Sequence, residues 1–148
     1  MKPIKSSEKK KIIKQLNEQY GITELPYLLL QFGKEKIRIY SGNLSKEELI
    51  TLDKKLKIEN IGLYAMKTER EQIRLTLDGI QILKNQITKN ILKVNDKQTQ
   101  EWFRGKELEI ESDNNFKILK NQQDFIGCGK STGERIINFL PKERRIKD

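Results

Sequence analysis

Asp124-Phe125-Ile126-Gly127-Cys128-Gly129-Lys130-Ser131-Thr132 is the stretch on which the reading of this chain turns. Its Gly-Lys-Ser-Thr run looks at first like a loop that cradles a triphosphate in backbone N–H groups. Such a loop needs a glycine five residues ahead of the Gly-Lys pair. Asp124 holds that position, and its carboxylate would oppose the anion. The loop also needs a helix to open at the Ser-Thr, where Gly133-Glu134 follow instead. The stretch therefore reads as a strand over Phe125 to Cys128, with two glycines that mark a bulge or a close approach of another backbone.

Working outward, the same period of two recurs on both sides. Phe116 to Leu119 and Ile136 to Leu140 read as neighbouring strands, joined through turns at Asn121 to Gln123 and at Thr132-Gly133. Upstream, Ile61 to Met66, Ile73 to Leu77 and Ile87 to Val94 have the same character. One short helix interrupts them, opened by Asp96, closed near Gly105 and anchored by Trp102 and Phe103. So many short strands in so few residues predict a small closed or nearly closed barrel.

The first part of the chain is helical and strand-like in turn. Ser6 and Ser7 are placed to cap a helix whose inward face is Ile12, Ile13, Leu16 and Tyr20, with Gly21 to end it. Leu25 to Phe32 is apolar and interrupted by Pro26, and its pattern does not separate helix from strand. Lys36 to Tyr40 alternates as a strand, Ile37 and Ile39 on one side. Ser45 and Glu48 form a capping box for a helix with Leu49, Leu52 and Leu56 as its expected buried stripe.

Composition removes whole classes of function. The chain of 148 residues has no histidine, which excludes the commonest metal ligand, the usual general base and every His-dependent triad. Cys128 is the single cysteine, so neither an internal disulfide nor a thiolate zinc site can form. With no histidine to activate it, Cys128 reads as a small core residue. Most of the acidic residues sit beside Lys or Arg, as in Glu69-Arg70-Glu71, and read as solvated charge runs. We therefore expect no enzyme activity, no metal and no cofactor. No signal peptide and no stretch long enough to span a membrane is present, which predicts a soluble cytoplasmic protein with no membrane partner.

What remains is charge. Thirty Lys and Arg against 21 Asp and Glu give a net charge of +9, which draws the chain toward polyanions without identifying one. Lys142, Arg144, Arg145 and Lys147 crowd the C-terminus after Pro141. If the tail is extended, Lys142 and Arg144 share one side while Arg145 and Lys147 share the other. Lys9 to Lys14 form a second cluster, which reads as a solvated helix face.

The Phe125-Ile126-Gly127-Cys128-Gly129-Lys130 strand, followed by Asn138-Phe139-Leu140-Pro141-Lys142-Glu143-Arg144-Arg145, resembles the C-terminal PUA-like domain of Nol/Nop/Sun-type RNA 5-methylcytosine methyltransferases. Trp102-Phe103-Arg104-Gly105-Lys106-Glu107-Leu108 resembles the helix-to-strand junction of PUA domains, and Leu77-Asp78-Gly79-Ile80 a strand of the region that accompanies them. The first seventy or so residues are similar in layout to the pre-domain of Nip-type ribosome-biogenesis proteins. The resemblance implies an α+β fold: a small α/β pre-PUA domain over residues 1–86, then a PUA-like β pseudobarrel with one short helix over residues 87–148. These 148 residues leave no room for a methyltransferase sheet, so recognition alone is implied: binding of structured rRNA or tRNA through Arg104, Gly105, Lys106, Lys130, Arg135, Lys142, Arg144 and Arg145. A second class of function is a scaffold or accessory subunit, whose partner would be a separately encoded RNA methyltransferase or a ribosome-assembly factor.

Overall fold

A computed structural model describes residues 1–58 and 61–147. Among the described residues the fold is α+β, with two sheets and four helices. The first sheet is antiparallel in the order β1 (Lys2–Pro3), β2 (Leu28–Phe32), β3 (Lys36–Tyr40), β4 (Leu63–Glu69) and β5 (Gln72–Leu75). Alternation along β3 buries Ile37 and Ile39, as its pattern requires. The ambiguous Leu25 to Phe32 run divides: Leu25 is a buried loop residue, and the strand starts at Leu28, after Pro26.

Helix α1 (Ser6–Tyr20) lays Ile12, Leu16 and Tyr20 inward and ends at Gly21, which is left-handed. It is fixed to β5 by hydrogen bonds as well as packing. Gln19 accepts from Ile73 N at 2.8 Å and donates to Ile73 O at 3.1 Å, and the Tyr20 hydroxyl donates to the same carbonyl. Ser6 and Ser7 do not cap it: they lie inside the helix, Lys5 is the capping position, and its side chain makes no capping bond. Helix α2 (Lys46–Leu56) has the expected capping box at Ser45 and Glu48. Its apolar stripe is only partly buried, for Leu49 is inside while Leu56 is 70% exposed.

The clearest departure from expectation is Leu77 to Ile80, which is not a strand. It opens helix α3 (Leu77–Leu83). The Thr76 hydroxyl accepts from Gly79 N at 3.0 Å and donates to Tyr64 O at 2.7 Å, so one side chain caps the helix and ties it to β4. A polar cap with Asp78 in the first turn outweighs the β-like run of Ile and Leu.

The second sheet has the order β6 (Ile91–Lys93), β7 (Phe116–Asn121), β8 (Asp124–Ser131), β9 (Ile136–Asn138). β6 is parallel to β7, the other pairs are antiparallel, and a bridge from Leu108 to Ile136 lengthens the β9 side. The β6 strand is shorter than the expected Ile87 to Val94, because Asn90 turns left-handed and uses its amide on Gln19 O. The one short helix of this part, α4 (Asp96–Phe103), is capped by Asn95 and Gln98 in a reciprocal box, one residue ahead of the expected Asp96.

Strand β8 separates two cores. Phe116 and Ile118 of β7 and Cys128 of β8 join the larger core under the first sheet, α1 and α3. Trp102, Leu108, Leu119, Ile126 and Ile136 form the smaller one. A register shift beside Leu119 is the bulge, and past it Gly127 and Gly129 present bare backbone to Trp102. A methyl group on Gly127 would stand 2.7 Å from the indole Nε1, and one on Gly129 would stand 2.9 Å from the far edge of the same ring. The glycines of the opening stretch thus make room for an indole. Gly127 also has φ +154, so a side chain there is strained as well as crowded. Gly127→Ala should therefore lower stability by about 1–3 kcal/mol, the usual cost of overpacking a filled core, read as a lower urea midpoint with an unchanged slope.

Candidate nucleic-acid interface

Helix α4 positions the first basic group. Its last turn closes through Arg104 N to Gln100 O at 3.2 Å and Gly105 N to Trp102 O at 2.9 Å. Gly105 then takes φ +85, a left-handed conformation that suits glycine, and the chain reverses so that Lys106 N reaches Glu101 O at 3.1 Å. Arg104 and Lys106 are both exposed.

The C-terminal segment returns to the same place. It is not a continuous extended run, so the alternation that extension would give Lys142 to Lys147 does not occur. After the buried Leu140, Lys142–Arg144 form a 3-10 turn, and Ile146 N donates to Phe103 O at 2.7 Å. The tail therefore docks on the end of α4. Arg145 crosses directly over Gly105, where a Cβ would lie 2.6 Å from its Cδ and Nε, and donates from Nε to Leu140 O at 3.0 Å. Arg144 places Nη2 between both oxygens of Asp78, at 2.9 and 3.1 Å. Lys142 is exposed on the turn.

The structure thus brings Arg145 onto Gly105, between Arg104 and Lys106 in the chain, through two segments far apart in sequence, with Lys142 and Arg144 on the same docked tail and Arg144 turned to Asp78. Arg135 is exposed at the turn before β9 and pairs with Glu107, next to Lys106, at 3.3 Å. Lys130 goes elsewhere. Its ammonium stands 5.6 Å from the Phe116 ring centroid, in a different cleft shared with Glu35, Lys67 and Glu69. Trp102 is 1% exposed and belongs to the core, and Phe103 packs against it. Lys9 departs from the solvated face assigned to it, donating to Tyr27 O at 2.7 Å, while Lys10, Lys11 and Lys14 are exposed.

Asn138 is the residue that the sequence reading quoted and gave no role. Its Nδ2 donates to Trp102 O at 2.8 Å and to Lys106 O at 2.9 Å, while Oδ1 accepts from Leu140 N at 2.8 Å. One amide therefore joins the α4 turn, β9 and the root of the tail. Its signal was the Asn-Phe-Leu-Pro run, where a polar residue interrupts an apolar strand just before a proline.

Burial pushes the Cys128 thiol up to about 12, which suppresses the thiolate a nucleophile needs. Burial also raises the neighbouring Tyr20 hydroxyl, next to the thiol. Among the described residues no group of His, Cys, Asp and Glu could hold a metal ion, and no helix is long and apolar enough to cross a membrane. In the folded protein Cys128 should resist an alkylating reagent at pH 8, several units below its pKa, and react promptly after denaturation. Asn138→Ala should cost about 1–3 kcal/mol, since it strips partners from inner carbonyls. It should also loosen the tail, read as faster hydrogen exchange at Ile146 N.

Comparison with known proteins places these features. Residues 89–146 match the family model described as the Methyltransferase RsmF PUA domain. The chain is 22% identical over 144 residues to the ribosomal RNA small subunit methyltransferase F of Aeromonas salmonicida, a match that covers 95% of this chain and 29% of that protein. Its fold is similar to that of a hypothetical protein from the archaeon Pyrococcus horikoshii, with TM-score 0.54, 11% identity and 92% of each chain covered. That likeness concerns fold alone, and it extends across both sheets. Residues 89–146, with the Trp102 helix and the Gly127–Gly129 strand at their centre, are a PUA-like domain of the kind carried by Nol/Nop/Sun-type RNA methyltransferases.

Proposed function

We propose that this chain binds structured RNA through the face where the α4 turn and the docked tail meet, and that it performs recognition and no catalysis of its own. The observation that carries the reading is that convergence: Arg104 and Lys106 from one segment, Lys142, Arg144 and Arg145 from another, around the left-handed Gly105 turn that Arg145 crosses. Exposed Lys and Arg side chains suit phosphate oxygens, and structured RNA is held largely by shape and backbone. Arg135 extends the face past Glu107, and Lys130 stands apart from it. The A. salmonicida protein is named for small-subunit ribosomal RNA, which favours rRNA over tRNA as the target class and a cytoplasmic role in ribosome maturation. On this reading residues 87–148 form the RNA-binding unit and residues 1–86 a pre-PUA unit. The span of the family match, which begins at Lys89, supports that division.

A second reading rests on a separate observation. Leu44 just before α2, Leu56 at its end and Leu63 at the start of β4 are large exposed hydrophobics. They suit a scaffold or accessory subunit that docks on a separately encoded RNA methyltransferase or assembly factor.

A salt titration decides between the two. Each phosphate contact releases condensed counterions, so affinity for an rRNA fragment should fall as salt rises. Replacing Arg104, Lys106 and Lys142 with Ala should weaken binding and flatten the log-affinity against log-salt slope by roughly one per lost contact. Replacing Lys10, Lys11 and Lys14 should change the slope much less. An unchanged slope in the first triple would move the interface elsewhere on the surface. Absence of RNA binding at low salt would leave the scaffold reading in the lead.

A further inference from the structure

Between the two halves lies a cleft of about 370 Å³, within the usual range for small-ligand sites. One wall is β5 and the start of α3, and the other is β8 and the root of the tail. We propose that this cleft takes a single unstacked nucleotide of the bound RNA, its base lodged beside Phe139 and Arg74 and its phosphate left at the mouth. The inference rests on the RNA-binding reading above and names what that RNA must offer.

Three features point to a base. The Arg74 guanidinium sits 4.2 Å from the Phe139 ring centroid, so a flat, charged platform lines the cleft. Stacking on aromatic and guanidinium planes is how proteins hold splayed-out bases. Trp102 also lines the cleft, and its Nε1 is buried with no hydrogen-bond partner, an uncommon state for an indole N–H. That nitrogen lies against the backbone of Gly127, which also lines the cleft and covers the nitrogen. A base that shifts the Gly127 backbone on entry would supply the missing acceptor through a carbonyl or ring nitrogen.

The charges at the mouth limit the ligand further. Arg144 stands there beside Asp78 and Glu143. Two carboxylates oppose a polyanion such as a nucleoside triphosphate. A single phosphodiester asks only that Arg144 exchange Asp78 for a phosphate oxygen. Leu140, Pro141, Glu143 and Arg144 also line the cleft, so it adjoins the same tail that supplies the basic face.

The chain has one tryptophan, which makes its fluorescence a reporter at the site. The probe is a fluorescein-labelled RNA hairpin with a six-nucleotide single-stranded tail, compared with the same hairpin cut blunt. Binding is followed by anisotropy, and the cleft by Trp102 emission in a parallel titration with unlabelled RNA. The tailed hairpin should change the emission with the same midpoint as the anisotropy, and the blunt one should raise anisotropy without changing the emission. Arg74→Lys keeps the charge and removes the plane. It should weaken the tailed hairpin about tenfold and leave the blunt one unaffected, with the melting temperature unchanged as a check on folding. If the tailed hairpin binds and Trp102 emission stays constant, or if Arg74→Lys binds it as tightly as wild type, the nucleotide pocket is overturned while RNA binding stands. If neither hairpin binds at low salt, the RNA reading itself fails and takes the pocket with it.

Discussion

The second half of the molecule is organised by one contact, the indole of Trp102 laid against the bare backbone of Gly127 and Gly129. An indole buries more apolar surface than other side chains, and in so small a core it must lie where nothing else does. Because β8 gives up side chains on that face, α4 can sit close to the strand, and its C-terminal end is fixed relative to the sheet. Everything built on that end inherits the placement: the left-handed turn at Gly105, the exposed Lys106, and Phe103 O, to which Ile146 N is tied. The opposite face of β8 carries Cys128 into the larger core. A single strand therefore anchors both the basic turn and the junction with the first sheet.

That junction is polar as well as apolar. Gln81 of α3 donates to Phe125 O at 3.1 Å, Asn90 reaches Gln19 O at 2.6 Å, and Arg144 holds Asp78. The buried Lys117 is satisfied by Asp113 at 2.6 Å and Asn90 at 3.2 Å. The Asp113 carboxyl is held below its ordinary range chiefly by that hydrogen bond to Lys117. Directional bonds of this kind specify how the two sheets meet, which apolar contact alone leaves loose.

How far the sequence could be read depended on the range of the determining interaction. Strands β3, β7 and β8, the capping box of α2 and the end of α1 at Gly21 follow from residues within a turn or a pleat of one another, and they were legible. The rejection of a phosphate loop was local too, for Asp124 decides it. Leu77 to Ile80 was misread because its pattern is short, and the helix depends on a cap, Thr76, that also needs Tyr64 from another strand. Leu56 was misread because helical periodicity shows which face is apolar and not whether anything lies opposite. The tail was misread because a terminal segment has no partner in its own neighbourhood. Its partner is Phe103 O, more than forty residues earlier. Asn138 escaped for the same reason, since its three bonds reach α4, the loop after it and the tail.

The electrostatic consequence concerns preparation for binding. A tail of free lysines and arginines would lose rotamer entropy on meeting an anion, about 0.5–1.5 kcal/mol for each side chain immobilised. Here part of that ordering precedes binding. Arg145 is fixed between Leu140 O and the Gly105 backbone, and Arg144 is held by Asp78. Neither restraint blocks a phosphate. The Arg145 bond to Leu140 O engages Nε, so the terminal nitrogens are not committed by it. The Arg144–Asp78 pair is part-exposed on both sides, 42% and 36%, and pairs of that kind contribute little to stability. Exchanging Asp78 for a phosphate oxygen therefore costs little, while the guanidinium is already delivered to the mouth of the cleft. Two different partners, a neutral carbonyl and a weakly held carboxylate, thus give the basic face its geometry.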